Sequence, residues 1–419
     1  MAHIRYQNYK PSGVAWLGDI PAHWEARRLK TIARFGYGDS LPTEERLPGE
    51  YDVYGSNGLV GQHAEANTRG PCIIVGRKGS SGKVAYSEKP SFAIDTTYFI
   101  DERLTRSNLR WLYYSLQSLC LDSFSKDSAV PGLAREDAYE SVIAFCGVSE
   151  QRAIAAFLDR ETERIDALIE KKLRQTELLQ EKRAALISHA VAKGLNPDAP
   201  SKDSGIEWLG QIPAHWDMVR LKHVSPRQSV GLVITPSIYV DPDGSVPFLF
   251  GADVTDFGIN AKGARRITEE SNLALHQSML RCGDLVTVRV GYPGTTAVVP
   301  PELDRCNCAS MMIIRKPRKC RPEWLCYVMN SPVGRSQVDV VEYGAAQKQF
   351  NIGHAVEFRI PIPPPEEQTQ IVGYLDRERT RLATLEGKVL NSIGFLREYR
   401  TALISAAVTG QIDVRGEVM

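Results

Sequence analysis

The feature that most constrains the fold is a long helical stretch, residues 149–193. It contains neither proline nor glycine and is rich in Ala, Leu, Glu, Lys, Arg and Gln, which favour helices. Ser149 can cap its start, and Gly194 stands where a helix usually stops. At about 1.5 Å per residue this helix is roughly 65 Å long, which is too long for an ordinary globular helix.

The same stretch recurs between residues 367 and 409, at an offset of 217. Glu150-Gln151, for example, becomes Glu367-Gln368. Apolar residues recur every seven positions in both copies, which predicts that each helix packs along its length against another helix. This ladder is interrupted at Lys172 in the first copy. Its members are Leu158, Ile165, Leu179 and Leu186 in the first copy and Leu375, Leu382, Val389, Leu396 and Leu403 in the second.

Two further repeats precede the helices. SGVAWLGDIPAHW, from Ser12, recurs as SGIEWLGQIPAHW, from Ser204, at an offset of 192. We interpret it as a packed connector in which Trp16 and Trp24, and likewise Trp208 and Trp216, pin a domain to the helical region. Residues 77–82 and 289–294 share the pattern Arg-x-Gly-x-x-Gly at an offset of 212 and indicate a strand–turn–strand. Offsets that rise along the chain are typical of a tandem duplication with insertions.

The repeats predict an α+β fold with two mixed α/β domains and two long antiparallel coiled-coil helices between them. A parallel pair would need a long return connection, and neither linker is long enough. The C-terminus then returns to the N-terminal connector, which gives an internal duplication with circular, pseudo-two-fold symmetry. The predicted segments are a connector (1–24), a first variable domain (25–147), the central helix (148–195), a linker and second connector (196–216), a second variable domain (217–364), the C-terminal helix (365–412) and a tail (413–419).

Composition is that of a globular protein, with 43% hydrophobic and 24% charged residues. No run approaches 18 apolar residues and the N-terminus lacks the apolar core of a signal peptide, so we expect a cytoplasmic protein without a membrane span. Eight cysteines without regular pairing fit a reducing compartment. The net charge of +1 neither demands nor excludes nucleic acid.

The duplicated helices, the Trp-Leu-Gly-x-Ile-Pro-x-His-Trp connectors, the helix start Pro364-Pro365-Glu366-Glu367-Gln368 and the unlike variable domains together resemble the specificity subunits of type I restriction–modification enzymes. The start of the first helix departs from that pattern, because residues 146–151 lack the prolines. The resemblance implies a non-catalytic subunit whose two target-recognition domains each read one half of an asymmetric, split site in double-stranded DNA. It also implies that the helices dock two methyltransferase subunits and set the half-site spacing.

The resemblance further implies that two restriction–translocase subunits join the complex. It implies no cofactor in this chain, because S-adenosylmethionine, and ATP and Mg²⁺ for restriction, bind to partner subunits. The helix ladder residues are then the predicted docking positions.

Side chains in the predicted turns suit DNA contacts, because cations, hydroxyls, amides and approachable backbone bind phosphates and base edges. For the turn of residues 77–83 and its counterpart, the alternative is a plain hairpin turn with solvated charges. For Arg265-Arg266 the alternative is a surface pair. The candidates are Asn57, Arg77, Lys78, Ser80, Ser81, Lys83 and Lys126 in the first domain, and Arg265, Arg266, Arg289, Tyr292, Tyr343, Gln347 and Lys348 in the second.

Two other functions stay open, namely an autonomous nuclease with its site in one variable domain and a coiled-coil scaffold without nucleic acid. The run from Gly76 to Val84 only superficially suggests a phosphate-binding loop, because five residues instead of four separate its outer glycines. Cys306 and Cys308, with Cys320 and Cys326, could suggest a zinc site. Cys306 and Cys308 align with a strand-like run of the first copy and are more simply strand cysteines, and we expect no metal. The duplication favours a DNA-reading subunit, since a lone active site would not require both halves to keep the connector and the helix.

Overall fold

The computed structural model describes residues 4–124, 132–207, 209–225, 227–343 and 352–416, without the side chains of residues 124 and 341–343. The chain forms two compact units, each of which combines one variable domain with part of both long helices. The first unit is Met1–Arg174 with Val389–Met419, and the second is Gln175–Lys388.

Both units contain strands and helices. In chain order up to the first long helix they are β1 (Tyr9–Pro11), β2 (Asp19–Pro21), β3 (Glu25–Arg28), β4 (Gly36–Tyr37), β5 (Tyr51–Gly55), β6 (Gly58–His63), β7 (Cys72–Gly76), β8 (Val84–Ser87), β9 (Phe92–Ala93), β10 (Thr97–Asp101), α1 (Leu109–Gln117), α2 (Arg135–Glu140), β11 (Val142–Phe145) and α3 (Val148–Lys193). The rest are β12 (Ser201–Asp203), β13 (Gln211–Pro213), β14 (Asp217–Arg220), α4 (Leu221–Val224), β15 (Gln228–Val230), β16 (Val246–Leu249), β17 (Val254–Thr255), β18 (Gly258–Ile259), β19 (Arg265–Ile267), α5 (Glu269–Ala274), β20 (Leu285–Thr287), β21 (Thr296–Val298), β22 (Asn307–Cys308), β23 (Met312–Ile314), α6 (Pro322–Asn330), α7 (Pro332–Tyr343), α8 (Ile352–Ala355), β24 (Arg359–Ile362) and α9 (Pro365–Val408).

The two long helices pack antiparallel, as predicted. In the first unit Arg400 Nε donates to Asp166 Oδ1 at 3.0 Å. In the second unit Gln180 Nε2 donates to Glu386 Oε1 at 2.7 Å. A later residue of α3 thus meets an earlier residue of α9, which is the order of an antiparallel pair. Helix α3 begins at Val148, one residue before the predicted cap Ser149.

The apolar ladder forms the seam of this pair within each unit. Leu158 and Ile165 share the core of the first unit with Leu403. Leu375 shares the core of the second unit with Ile187 of α3. Every ladder residue is buried or half-buried, as is Lys172, which interrupts the ladder. Burial of these side chains removes apolar surface from water and holds the helices together.

The two variable domains have the same sheet topology, although their sequences share little. Each has a four-stranded antiparallel sheet, of order β4-β10-β7-β8 in the first unit and β15-β23-β20-β21 in the second. Each also has a three-stranded sheet, of order β6-β5-β9 or β19-β16-β22, with one parallel strand pair. The sequence predicted only that both domains are mixed α/β. The structure shows that the duplication includes the domains themselves.

A glutamate that recurs in both copies joins each connector to the start of a long helix. Trp24 Nε1 and His23 Nε2 lie 3.1 Å from Glu150 Oε2, and the Tyr6 hydroxyl donates to Glu150 Oε1 at 2.7 Å. The buried position of Tyr6 and this hydrogen bond raise the pKa of its hydroxyl. The second tryptophan of the connector is thereby fixed to α3.

The second unit repeats this contact. His215 Nε2 and Trp216 Nε1 lie 2.7 and 3.0 Å from Glu367 Oε2. Trp24 and Trp216 are fully buried, which confirms the prediction for these two residues. The prediction for Trp16 is wrong, because that side chain is 47% exposed and lies on the turn between β1 and β2. Trp208 lies outside the described residues.

The glutamine after each glutamate fixes the variable domain to the same helix start. Gln151 Oε1 accepts from the backbone N–H of Asn108, and Gln151 Nε2 donates to Cys146 O, both at 2.9 Å. Gln368 makes the same two bonds, with Arg321 N at 2.9 Å and Pro363 O at 2.8 Å. The repeated Glu-Gln pair therefore positions both the connector and the variable domain.

A tyrosine in each short helix adds a second attachment to the long helix. Tyr114 of α1 donates to Asp159 at 2.7 Å, and Tyr327 of α6 donates to Asp376 at 2.6 Å. These tyrosines belong to a further repeat, Trp-Leu-x-Tyr, that begins at Trp111 and recurs 213 residues later. The sequence reasoning overlooked this repeat, although it was visible in the chain.

The chain ends meet in the first unit, as predicted. The Tyr9 hydroxyl donates to Gly410 O at 3.0 Å, Gln411 Nε2 donates to Asp19 O at 2.8 Å, and Asp413 N donates to Ile4 O at 2.7 Å. The N-terminal connector therefore packs at the end of α9, just as the second connector follows the end of α3 along the chain.

Candidate nucleic-acid interface

The turn between β7 and β8, residues 76–83, carries most of the predicted contacts of the first domain. Gly76 N donates to Lys83 O, and Gly82 N donates to Gly76 O, both at 2.8 Å. Gly79 and Gly82 have φ values of +77° and +80°. A side chain at Gly82 would also lie 2.2 Å from the backbone nitrogen of Asp122, so this position requires glycine. The repeated pattern therefore encodes the turn geometry.

Three of the predicted DNA-contact residues form one polar cluster. Asn57, in the turn between β5 and β6, accepts at Oδ1 from Lys83 Nζ at 2.5 Å and from Ser80 Oγ at 3.3 Å. Asn57 and Lys83 are exposed. The cluster therefore presents an amide and an ammonium group on one surface, where they can bind a phosphate or a base edge.

Two arginines flank an exposed aromatic ring beside this turn. The Arg77 guanidinium lies 5.1 Å from the ring centre of Tyr37, and that of Arg135 lies at the same distance from it. Arg77 also lies 5.9 Å from the ring centre of Tyr98, whose pKa burial raises, and donates to Asp95 O at 3.2 Å. Cation–π contacts of this kind hold a guanidinium in place.

Tyr37 and Arg135 are not among the contact residues predicted from the sequence. They are separated by almost a hundred residues and carry no shared motif, so no local signal connects them. Lys78 is exposed, as a DNA contact requires, whereas Ser81 is only 6% exposed and faces the protein interior.

The equivalent turn of the second domain, residues 288–295, is held by an arginine from α7. Arg335 Nη1 donates to Pro293 O at 2.8 Å, and its Nη2 donates to Thr295 Oγ1 at 3.2 Å and to Asp256 Oδ1 at 2.7 Å. Arg289, at the start of the turn, is half-buried. Tyr292, near its tip, is 83% exposed.

The remaining candidates of the second domain lie elsewhere or outside the described residues. Arg265 and Arg266 are on β19, in the three-stranded sheet, and both are exposed. Arg265 lies over the Phe250 ring at 4.5 Å, and Arg266 Nη1 donates to Ser245 O at 2.9 Å. Lys126, Gln347 and Lys348 fall outside the described residues, as does the side chain of Tyr343.

The four cysteines considered for zinc are buried or half-buried. Burial raises the pKa of Cys306, Cys320 and Cys326 to about 12 and that of Cys308 as well. In the described part of the chain no cluster of three or more His, Cys, Asp or Glu residues is placed to hold a metal ion.

The helix ladder residues, predicted as docking positions, form the seam instead of an outer face. Leu158, Ile165, Leu375, Leu382, Val389 and Leu403 are at most 8% exposed, and Leu179, Leu186 and Leu396 are half-buried. Their docking role stays a prediction. None of the helices in the described residues has an apolar run long enough to span a bilayer.

Residues 21–178, which include the first turn, its polar cluster and much of α3, match the model of the type I restriction modification DNA specificity domain. Residues 21–178 thus resemble a type I DNA specificity domain. The family resemblance predicted from the sequence is thereby confirmed. This specificity domain spans β3 to β11, and the strand order of the second unit repeats its topology.

Characterised relatives agree with this assignment. The type I restriction enzyme EcoBI specificity subunit of Escherichia coli is 20% identical over 82% of this chain and 74% of its own length. The type I restriction enzyme MjaVIII specificity subunit of Methanocaldococcus jannaschii is 22% identical over 94% of both chains. Each alignment covers more than four fifths of this chain, so the likeness extends beyond residues 21–178.

Solved structures share the fold. A chain from a study of complex assembly and conformational transition of the type I R-M system aligns with a TM-score of 0.69, covering 93% of this chain and 98% of its own, at 17% identity. The HsdS subunit from Thermoanaerobacter tengcongensis aligns with a TM-score of 0.51, covering 94% and 98%, at 18% identity. At these identities the likeness concerns the fold alone.

Proposed function

We propose that this specificity-family chain is the non-catalytic, DNA-reading subunit of a cytoplasmic type I restriction–modification complex. Each variable domain reads one half of an asymmetric, split site in double-stranded DNA. The observation that carries the proposal is the duplication of one complete domain topology with different side chains on equivalent turns. Two copies of one reader with different surfaces suit two different half-sites, whereas a single nuclease site or a plain scaffold requires no such pair.

The outer faces of the long helices support a docking role. Three exposed apolar positions of α3 recur as exposed apolar positions of α9, each 217 residues later. They are Leu168 and Leu385 (40 and 39% exposed), Leu173 and Leu390 (43 and 50%), and Leu178 and Phe395 (49 and 69%). Exposed apolar side chains that recur on both helices suit a surface that another protein covers. Their occurrence in duplicate suits two copies of one partner.

We infer that these partners are two methyltransferase subunits, and that two restriction–translocase subunits join them. The methyltransferase then binds S-adenosylmethionine and transfers its methyl group to an adenine, and ATP and Mg²⁺ bind to the restriction subunits. The helices of this chain fix the separation of the two half-sites. In this arrangement the chain supplies DNA recognition and assembly, and no reaction step takes place on it.

The test is to co-express the full chain with its methyltransferase partner and map N6-methyladenine across a genome. We expect one split, asymmetric motif. Exchanging residues 25–147 for the corresponding domain of another subunit should change one half of the motif, and exchanging residues 217–364 should change only the other. A contiguous palindrome, or no methylation with a partner that is active with another specificity subunit, would refute the proposal.

A further inference from the structure

The turns 76–83 and 288–295 are structural counterparts, residue by residue. Val288 N donates to Thr295 O at 2.8 Å, and Gly294 N donates to Val288 O at 3.0 Å. These are the bonds that Gly76, Lys83 and Gly82 make in the first domain, each shifted by 212 positions. Ser80 therefore corresponds to Tyr292, and Lys78 corresponds to Val290.

The tip of the first turn is polar, whereas the tip of the second turn is apolar. In the first domain the Ser80 hydroxyl belongs to a hydrogen-bonded cluster with Asn57 and Lys83. In the second domain Tyr292 is 83% exposed and Val290 is 60% exposed. Tyr292 is the most exposed of the large hydrophobic side chains in the described residues. An aromatic ring held in water on a surface turn points to a contact with a ligand.

The second turn is also attached to α7. Arg335 bonds to Pro293 O and to Thr295 Oγ1, on the C-terminal side of the tip. A side chain on Gly294 would lie 3.1 Å from Val338, also on α7, so the turn packs closely against that helix. A tip held in this way loses little conformational entropy when it binds, which increases affinity.

We propose that Tyr292, supported by Val290, reads the second half-site by apolar contact with the C5-methyl group of a thymine in the major groove. The thymine methyl is the apolar feature that base pairs present there, and it suits the face of an aromatic ring. The first domain, by contrast, reads with the hydrogen-bonding groups of its cluster. This inference rests on the proposed function, since it assumes that these turns face DNA.

The experiment uses the full chain in complex with its methyltransferase partner and a duplex that carries the mapped motif. Domain exchange identifies the half-site of the second domain. Each thymine of that half-site is then replaced in turn by deoxyuridine, which lacks only the methyl group. The wild-type complex should lose about fivefold in affinity at one thymine, which is at the low end of the cost of a full base mismatch.

Variants of Tyr292 distinguish a contact made by its ring from a contact made by its hydroxyl. Tyr292→Phe should retain the affinity and the deoxyuridine effect, because the ring persists. Tyr292→Ser, which introduces the residue of the first domain, should bind the thymine duplex about fivefold more weakly and show no further loss with deoxyuridine. Ser80→Ala is the matched control and should leave the deoxyuridine effect in the second half-site unchanged.

Several results would overturn the inference. One is a Tyr292→Phe variant as weak as Tyr292→Ser, which would assign the contact to the hydroxyl. Others are wild-type affinity in Tyr292→Ser or a second half-motif without any A·T pair. If a split motif is found and one of these results follows, only the inference fails. If no split motif is found, the proposed function fails first.

Discussion

At the residue scale, the two glutamates that start the long helices are the most informative side chains. Glu150 is 8% exposed and accepts hydrogen bonds from a tyrosine and a tryptophan, with a histidine alongside. Glu367 is 23% exposed, and its carboxylate pairs with the tryptophan and the histidine. A carboxylate accepts at both oxygens, which is why this residue type suits a position surrounded by donors. The same contact therefore occurs twice, once with a buried glutamate and once with a half-buried one.

We predict that Glu150→Gln lowers the free energy of unfolding by about 2–3 kcal/mol and Glu367→Gln by about 1 kcal/mol. The glutamine amide places an N–H group against the donors that the carboxylate accepted from. The loss of stability is larger at residue 150, because less water can reach that position and compensate. Urea denaturation of the full chain measures both values. Glu163→Gln, at an exposed position of α3, is the control and should change stability little. Equal losses at residues 150 and 367 would contradict the dependence on burial.

At the element scale, each long helix has two sets of apolar residues with different environments. The ladder residues form the seam inside each unit, and the second set, which includes Leu168 and Phe395, is exposed. A coiled-coil seam uses only a narrow stripe of each helix, which leaves the flanks available for other proteins. The ladder therefore accounts for helix pairing, and the exposed set is the better candidate for docking.

A matched pair of substitutions on α9 separates these roles. We predict that Leu403→Ala, at 3% exposure, costs about 3 kcal/mol of stability, because it leaves a cavity in the core. Phe395→Ala, at 69% exposure, should change stability by less than about 1 kcal/mol and weaken binding of the methyltransferase subunit about tenfold. Chemical denaturation and titration calorimetry measure the two effects. Undiminished methyltransferase binding by the Phe395→Ala variant would remove it from the docking surface.

At the scale of the whole molecule, the chain ends are structural parts of the first unit. Val414 is fully buried and Ile412 is 9% exposed, both in the core that also contains Trp24. The Arg415 guanidinium lies 4.9 Å from the ring centre of Tyr6 and pairs with Asp413, whose pKa this hydrogen bond lowers. The C-terminal segment thus completes the core around the N-terminal connector.

We predict that deleting residues 411–419 destabilises the first unit by about 3–5 kcal/mol, since two buried aliphatic side chains are lost. Hydrogen–deuterium exchange should show lost protection in residues 4–24 and at the start of α3. Peptides from residues 209–225 should exchange as in the intact chain, because no deleted residue belongs to the second unit. Val414→Ala should give a smaller loss in the same segments. Unchanged exchange in residues 4–24 would show that the tail does not support the connector.

The sequence by itself determined the duplication, the two long helices, their antiparallel order and the meeting of the chain ends. These features follow from local helix propensity, seven-residue periodicity and repeat order, all of which can be read along the chain. It also indicated that Trp24 and Trp216 are buried, since a repeated Trp, Pro and Gly pattern marks a packed connector. Trp16 shares that pattern, yet its place on an exposed turn depends on which side of the connector faces the core.

Only the tertiary structure decided that both variable domains have one topology, that Asn57, Ser80 and Lys83 form one cluster, and that Arg77 and Arg135 both lie against Tyr37. Only the structure showed that equivalent turns present Ser80 in one domain and an exposed Tyr292 in the other. The strands involved are two to six residues long and pair with distant partners. Short strands carry little periodic signal, and their side-chain neighbours are set by long-range pairing that no local pattern encodes.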